Sequence, residues 1–214
     1  MNQILTPFTP AHDAGMADLA LRRWLAQPEL DAAPGWIACG APGTSPLRAR
    51  LAGIELRRML PEPSDLDALE RWHPWLARPY DEIEADLIRA AALALQRQIQ
   101  RCVHGSQRQL LVDTLGVDLY QEVMQAQWQP QQLAALDELH LPVPQWQAYR
   151  QVLACGLHLA HRVLLRASPY LAQRLLLVFP ADIVLPPGGA EPWSTAAYAL
   201  ASSLLQPKAD YDDH

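Results

Sequence analysis

The chain has 214 residues, half of them hydrophobic, and a formal net charge of −6. That length and apolar content suffice to bury a core without a metal or a disulfide, as a single domain over 1–206. The acidic balance excludes a general nucleic-acid binder, whose phosphate contacts need clustered cations, so no nucleic acid is expected as a partner.

Residues 1–14, with Pro7 and Pro10, read as an extended lead-in. Met16, Leu19, Ala20, Trp24 and Leu25 then make a short amphipathic helix from Gly15 to Ala26, which Pro28 ends. The glycines and prolines between 34 and 46 mark a turn-rich connector, Gly40-Ala-Pro-Gly43 included. Ser45 caps the next helix, with Pro46 at its first position, and the helix runs to about Leu60. Pro61-Glu62-Pro63 breaks it, and Ser64 or Asp65 starts a further turn or two that ends near Trp75.

The strongest periodicity follows. Ile88, Ala91, Leu95, Ile99, Cys102 and Val103 recur at helical steps, which predicts a long core helix over about 81–104. Asp81, Glu82, Glu84 and Asp86 sit at the positive end of its dipole, Arg97 and Arg101 near the other, and Gly105 stops it. Leu110 to Met124 continues the spacing, with Gly116 as the junction of two short helices. Pro130, Pro142 and Pro144 bracket a connector that contains Leu133, Leu136 and Leu139. A second long helix is predicted over about 145–167, because Trp146, Tyr149, Leu153, Gly156, Ala160, Val163 and Ala167 share a face and Pro169 lies just beyond. The two long helices are expected to pack on each other.

Towards the end the pattern changes. Arg174–Pro180 and Asp182–Pro186 are short apolar runs with β-branched residues and proline boundaries, which predicts a small β element over about 174–186. Pro186-Pro-Gly-Gly189 is a break, a last helix spans about Ser194 to Leu205, and the acidic stretch 207–214 reads as a disordered tail. The expected fold class is therefore mainly α, built around two long helices, with a small C-terminal β element.

Cys39, Cys102 and Cys155 form no CxxC pair, which argues against a zinc ribbon or a disulfide framework and points to a reducing compartment. The N-terminal residues lack a signal-peptide pattern, and no uninterrupted apolar run is long enough to span a bilayer. A soluble, cytoplasmic protein is the expectation. His158 and His161, three residues apart on the second long helix, could hold zinc if a third ligand came from elsewhere. They lack the four-residue spacing and glutamate of a His-Glu-x-x-His protease, so ordinary helix histidines are the better reading and no metal is expected. Cys102 and His104, two apart, point away from each other on a helix, and Glu82 with Asp86 suits the helix dipole rather than catalysis. No nucleophile elbow, P-loop or dinucleotide fingerprint occurs, so neither catalytic residues nor a cofactor are expected.

Charge and aromatics point instead to surfaces. Residues 62–86 hold eight acids against two arginines, whereas 139–181 hold four arginines and no acid. Such polarity suits docking between charged partners, or two faces that complement each other within one fold. Trp72, Trp75 and Tyr80 lie in a proline-interrupted, acid-flanked segment beside Glu70, Asp81 and Glu82. Large aromatics so placed anchor either a segment to its own core or a partner to an interface, and the same two readings hold for Trp193.

Ile99-Gln-Arg-Cys-Val-His-Gly-Ser106, followed by Leu110-Leu111 and the helix over Leu119–Met124, resembles the central region of the YscK/PscK-type proteins, the SctK family of type III secretion injectisomes. Arg174-Leu-Leu-Leu-Val-Phe-Pro180 and Glu191-Pro-Trp193 resemble that family's Arg-Leu-x-Leu-x-x-Pro and Glu-Pro-Trp blocks; the two regions cover about half of the chain, and 1–60 shows no match. The resemblance implies a non-enzymatic adaptor of the sorting platform, at the cytosolic base of the injectisome. It would join the cytosolic domain of the inner-membrane ring protein SctD to the SctQ pod, and through it to SctL and the SctN ATPase. Platform assembly, effector secretion and hence virulence would depend on that link, and the membrane would be reached through partners only. The alternatives are a secretion chaperone or regulator that binds one exported protein and, more remotely, a helical metal-dependent enzyme using His158 and His161. Trp72, Trp75, Tyr80, Glu70, Asp81 and Glu82 are the candidate interface residues.

Overall fold

A helix that is apolar on every side has to lie inside other helices, and this chain has two such stretches. The computed structural model describes residues 12–28, 32, 33, 36, 46–102, 105–146, 148–186 and 192–206, and the side chains among them except those of 12–18 and 46–52. Within this span, residues 152–160 are all buried, and from Leu87 to Gln96 only Arg89 escapes full burial. The first run belongs to α9 (Tyr149–Ala167), the second to α4 (Tyr80–Ala94) and the turn that follows it. These are the expected pair of long helices, and they pack directly on each other.

Their crossing is unusually close. A Cβ placed on Gly156 would lie 2.1 Å from the carbonyl oxygen of Leu87. Only a glycine at this position of α9 lets its backbone approach that of α4 at Leu87 so near.

The other helices wrap this pair. They are α1 (His12–Ala26), α2 (Pro46–Met59), α3 (Leu66–Leu76), α5 (Gln96–Gln100), α6 (Gly105–Leu115), α7 (Val117–Gln125), α8 (Pro130–Glu138), α10 (Pro169–Val178) and α11 (Thr195–Leu205). Helix α10 lies along α9 and touches α3, while α11 covers α4, α8 and α9. Several boundaries follow local chemistry: Asp65 caps α3 by accepting from Ala68 N at 2.9 Å, and Ser194 caps α11 by accepting from Ala197 N at 3.2 Å. Gly116, at φ 82°, makes the turn between α6 and α7.

Four expectations are corrected. There is no strand among the described residues, and Arg174–Val178 is the second half of α10. Pro169 stops α9 and also opens α10 as its first residue, so the leucine run reads at helical period and buries Tyr170, Leu171, Arg174, Leu175 and Val178. Ile183–Pro186 is irregular, with Val184 82 % exposed. Second, the long helix does not run unbroken to 104. It breaks at Leu95, whose φ of −96° and ψ of 13° leave the helical range, and Gly105 begins α6 instead of ending a helix. The break lets Gln96 turn inward: its amide nitrogen donates to the Val123 and Ala126 carbonyls at 2.6 and 2.7 Å, closing the end of α7, and its oxygen accepts from the Trp128 indole.

Third, the connector between Pro130 and Pro142 contains a helix, α8, with Pro130 in its first turn and a capping box between Gln129 and Gln132. Fourth, residues 12–14 of the expected lead-in are already helical. The remainder of that lead-in, most of the turn-rich connector, 187–189 of the break and the tail over 207–214 lie outside the described residues.

Candidate functional site

Trp72 and Trp75 sit three apart on α3 and pack edge to face, their ring centroids 5.9 Å apart at 75°. Both are buried, at 9 % and 6 % exposure, so most of each ring secures α3 to its own core. Their outer edges floor a cleft of about 300 Å³, lined by Arg71, Trp72, Pro74, Trp75, Arg78, Leu205 and Gln206. Pro74 is tolerated near the C-terminal end of α3 because it lies on the exposed side of the helix.

The charged rim is internally organised. Trp75 Nε1 donates to Asp86 Oδ2 at 2.9 Å, and Arg78 reaches the same oxygen while its Nε holds Glu82 at 2.7 Å. Burial works against the Arg78 cation, but hydrogen bonding and attraction from Glu82 and Asp86 outweigh it and raise its pKa. Arg71, exposed at the cleft mouth, has no ion pair among the described residues.

The other candidate interface residues diverge from this cleft. Glu70, Asp81 and Glu82 are exposed. Tyr80 packs on Phe179 with 5.1 Å between centroids and donates to Glu84 at 2.9 Å, with its hydroxyl pushed up to about 12 by burial and that carboxylate. The structure therefore brings together Trp72 and Trp75 and adds Arg71, Pro74, Arg78, Leu205 and Gln206, which sequence reasoning did not name. Arg71 and Arg78 were visible as the only cations in the acidic stretch, whereas the arrival of Leu205 and Gln206 depends on tertiary packing.

The arginines of 139–181 are all engaged within the chain. Arg150 pairs with Asp182 at 2.6 Å. Arg162 lies 4.2 Å over the Trp193 ring and Arg166 4.2 Å over that of Tyr198. Arg174 lies 4.6 Å over Trp24. Trp193 is thus an internal anchor. Glu138 accepts from Ser194 N at 3.1 Å, and this hydrogen bonding holds its carboxyl below the usual range.

His158 is 7 % exposed, and burial, reinforced by Arg162 and His161, lowers its pKa to about 4; burial also lowers that of His161. Among the described residues no group of three His, Cys, Asp or Glu side chains is placed to hold a metal. Cys102 is half-buried with its thiol 3.4 Å from the Gln98 carbonyl, and His104 lies outside the described residues. Cys155 is buried, which pushes its thiol up to about 11.

A histidine held neutral inside the fold makes stability depend on acid. The unfolded chain takes up a proton near pH 6.5 and the folded chain only near 4, so stability is complete above 6.5 and falls as the pH drops through that window. His158 should cost up to about 3 kcal/mol at pH 4. Thermal melts of the wild type and of His158→Gln across pH 7 to 4 test this: the variant should lose less stability on acidification, and parallel curves would refute it.

Comparison with protein-family models, with curated proteins and with solved structures finds no match to this chain. What fold and site define is a helical protein with a small aromatic-floored cleft beside an acidic shoulder. None of the described helices is long and apolar enough to cross a membrane.

Proposed function

We propose that the protein is a helical adaptor that works by binding, and that it serves the sorting platform of a type III secretion system at the cytosolic face of the inner membrane. The observation that carries the binding role is the outward surface of α3 and its flanks: Glu62, Asp67, Glu70, Asp81 and Glu82 are exposed there, and the outer edges of two tryptophans of α3 floor a cleft. Aromatic floor and charged rim are the parts a docking surface needs, one for affinity and the other for orientation. The secretion assignment rests on the resemblance of 99–124 and 174–193 to the SctK family. The residues that carry it are largely interior: Ile99, Leu111, Arg174, Leu175, Leu177, Phe179 and Trp193 are buried. In this reading they hold the scaffold, and the exposed surfaces meet an SctD-type ring domain and an SctQ-type pod.

Co-purification from cells with the tagged chain tests the assignment. Recovery of ring and pod proteins supports it, and recovery of a single exported protein instead would make the chain a secretion chaperone. Because Trp72 and Trp75 are buried, their removal would unsettle the fold, so the exposed acids are the cleaner probe. Glu70→Lys with Asp81→Lys should leave the melting temperature nearly unchanged and weaken binding to one partner on the order of tenfold at low salt. Unchanged affinity for every partner would exclude the shoulder as a contact surface.

A further inference from the structure

An adaptor meets two partners, and the α3 cleft gives it one surface. A second concave surface lies where α4, the turn between α6 and α7 and the start of α9 converge, a groove of about 560 Å³. Asp86 of α4 holds Trp75 of α3, whereas Ala85, one residue earlier and therefore about 100° around the helix, lines the groove. The groove has an apolar floor of Ile88, Leu115 and Leu119, and its lips carry the exposed Val117 and Tyr149. Arg89 lines it too, but is paired with Glu122 at 2.7 Å. The negative end of α6 and the positive end of α7 meet at Gly116 and offset each other, so the charge left over is that of Asp118 in the first turn of α7. Glu84 adds a second beside Tyr149: it accepts from Tyr80 at 2.9 Å and is hydrogen-bonded by Tyr149 as well. Neither Asp118 nor Glu84 has an ion pair among the described residues, and Arg150, next to Tyr149 in the chain, is taken by Asp182.

We propose that this groove docks a basic amphipathic helix of a partner protein, with an apolar side chain seated on Ile88, Leu115 and Leu119 and a lysine or arginine beside Asp118. Three observations select that occupant. No strand among the described residues offers an edge for an extended peptide to join, so a helix laid in by its apolar face is the mode that fits. The lips of the groove are themselves exposed, whereas a small molecule's site encloses most of its ligand. A second copy would bring another net charge of −6 against an acidic rim, which attracts a basic helix instead. Use of the groove as the second surface of an adaptor rests on the reading above, whereas its preference for a basic helix belongs to the chain itself.

Selection on the full chain from a display library of random peptides of about 14 residues, about four helical turns, tests this. Enriched sequences should carry apolar residues at helical spacing with lysine or arginine between them, and the synthesised peptides should bind less tightly as salt rises. Val117→Ser and Asp118→Asn should each weaken that binding about three- to tenfold, whereas Glu70→Lys with Asp81→Lys should change it less than about twofold. Val117 and Asp118 are both exposed, and unchanged melting temperatures would show that their variants fold. No enrichment, enrichment of acidic sequences, binding indifferent to both groove variants, or a self-association of the wild type that Val117→Ser abolishes would overturn the proposal. If the peptides behave as expected but no ring or pod protein is recovered from cells, the adaptor reading fails and the groove stands. If ring and pod proteins are recovered equally well with the Val117→Ser/Asp118→Asn double variant, the adaptor reading stands and the groove is not one of its surfaces.

Discussion

Gly156→Ala should lower the stability of the protein by about 3 kcal/mol, or on the order of 10 °C in melting temperature. At an open helical position the same change would raise stability by about 1 kcal/mol, because alanine loses less backbone entropy than glycine. Here the added methyl would lie 2.1 Å from the Leu87 carbonyl oxygen and 2.6 Å from its carbon, both backbone atoms that no rotamer change can move. The helices can accept it only by separating, and that opens the contacts of Leu153, Leu157 and Ala160 along α9, all buried. Thermal or denaturant unfolding of the single variant decides the matter. A stabilised Gly156→Ala would mean that α4 and α9 are further apart than described.

The second large effect is expected at Arg174, at 1 % exposure the bulkiest of the fully buried side chains among the described residues. Its guanidinium stacks on Trp24, and its Nη2 donates to the Trp24 and Gln27 carbonyls at 3.2 and 3.4 Å. Those carbonyls lie at the C-terminal end of α1, where the helix dipole is negative and the last acceptors lack intrahelical partners. Arg57 supports the same end by donating to Ala26 O at 2.6 Å. Arg174→Ala would leave buried acceptors unmet and a void under the Trp24 ring, a loss of roughly 3 kcal/mol. Arg174→Met keeps much of the stem packing and should lose about half as much, since only the polar part is removed. In both variants hydrogen exchange should quicken in α1 before α4 and α9, because α1 is held at this end by side chains from distant elements. Unchanged protection of α1 in both would show that Arg174 is not its clasp.

How far such features were legible depends on whether their causes are local. Asp65 and Ser194 announce their helices because a cap bonds to an amide three residues on. The pairing of α4 with α9 was legible because both carry apolar faces too wide for a surface helix. Helix α10 was not, because Leu175-Leu-Leu-Val178 between prolines satisfies strand and helix patterns equally, and only the buried Arg174 settles which period applies. The break at Leu95 has no local mark: Gln96 turns inward to meet carbonyls of α7, 27 and 30 residues away. The candidate site divides in the same way. Two tryptophans in an acidic stretch stood out in the sequence, whereas the wall brought by Leu205 and Gln206 follows from the docking of α11.

That docking also has a consequence for biosynthesis. Helix α11 covers α4, α8 and α9, with Ala197, Ala201 and Leu205 fully enclosed. Its residues leave the ribosome after everything they cover, so the apolar faces of α4 and α9 stay open to water until 195–205 has emerged. Closure then depends on contacts spanning more than a hundred residues, which slows folding and lengthens the interval in which a nascent chain can associate with others. Chains released before Thr195 should accumulate as insoluble or chaperone-bound material, whereas release after Gln206 should yield a closed core.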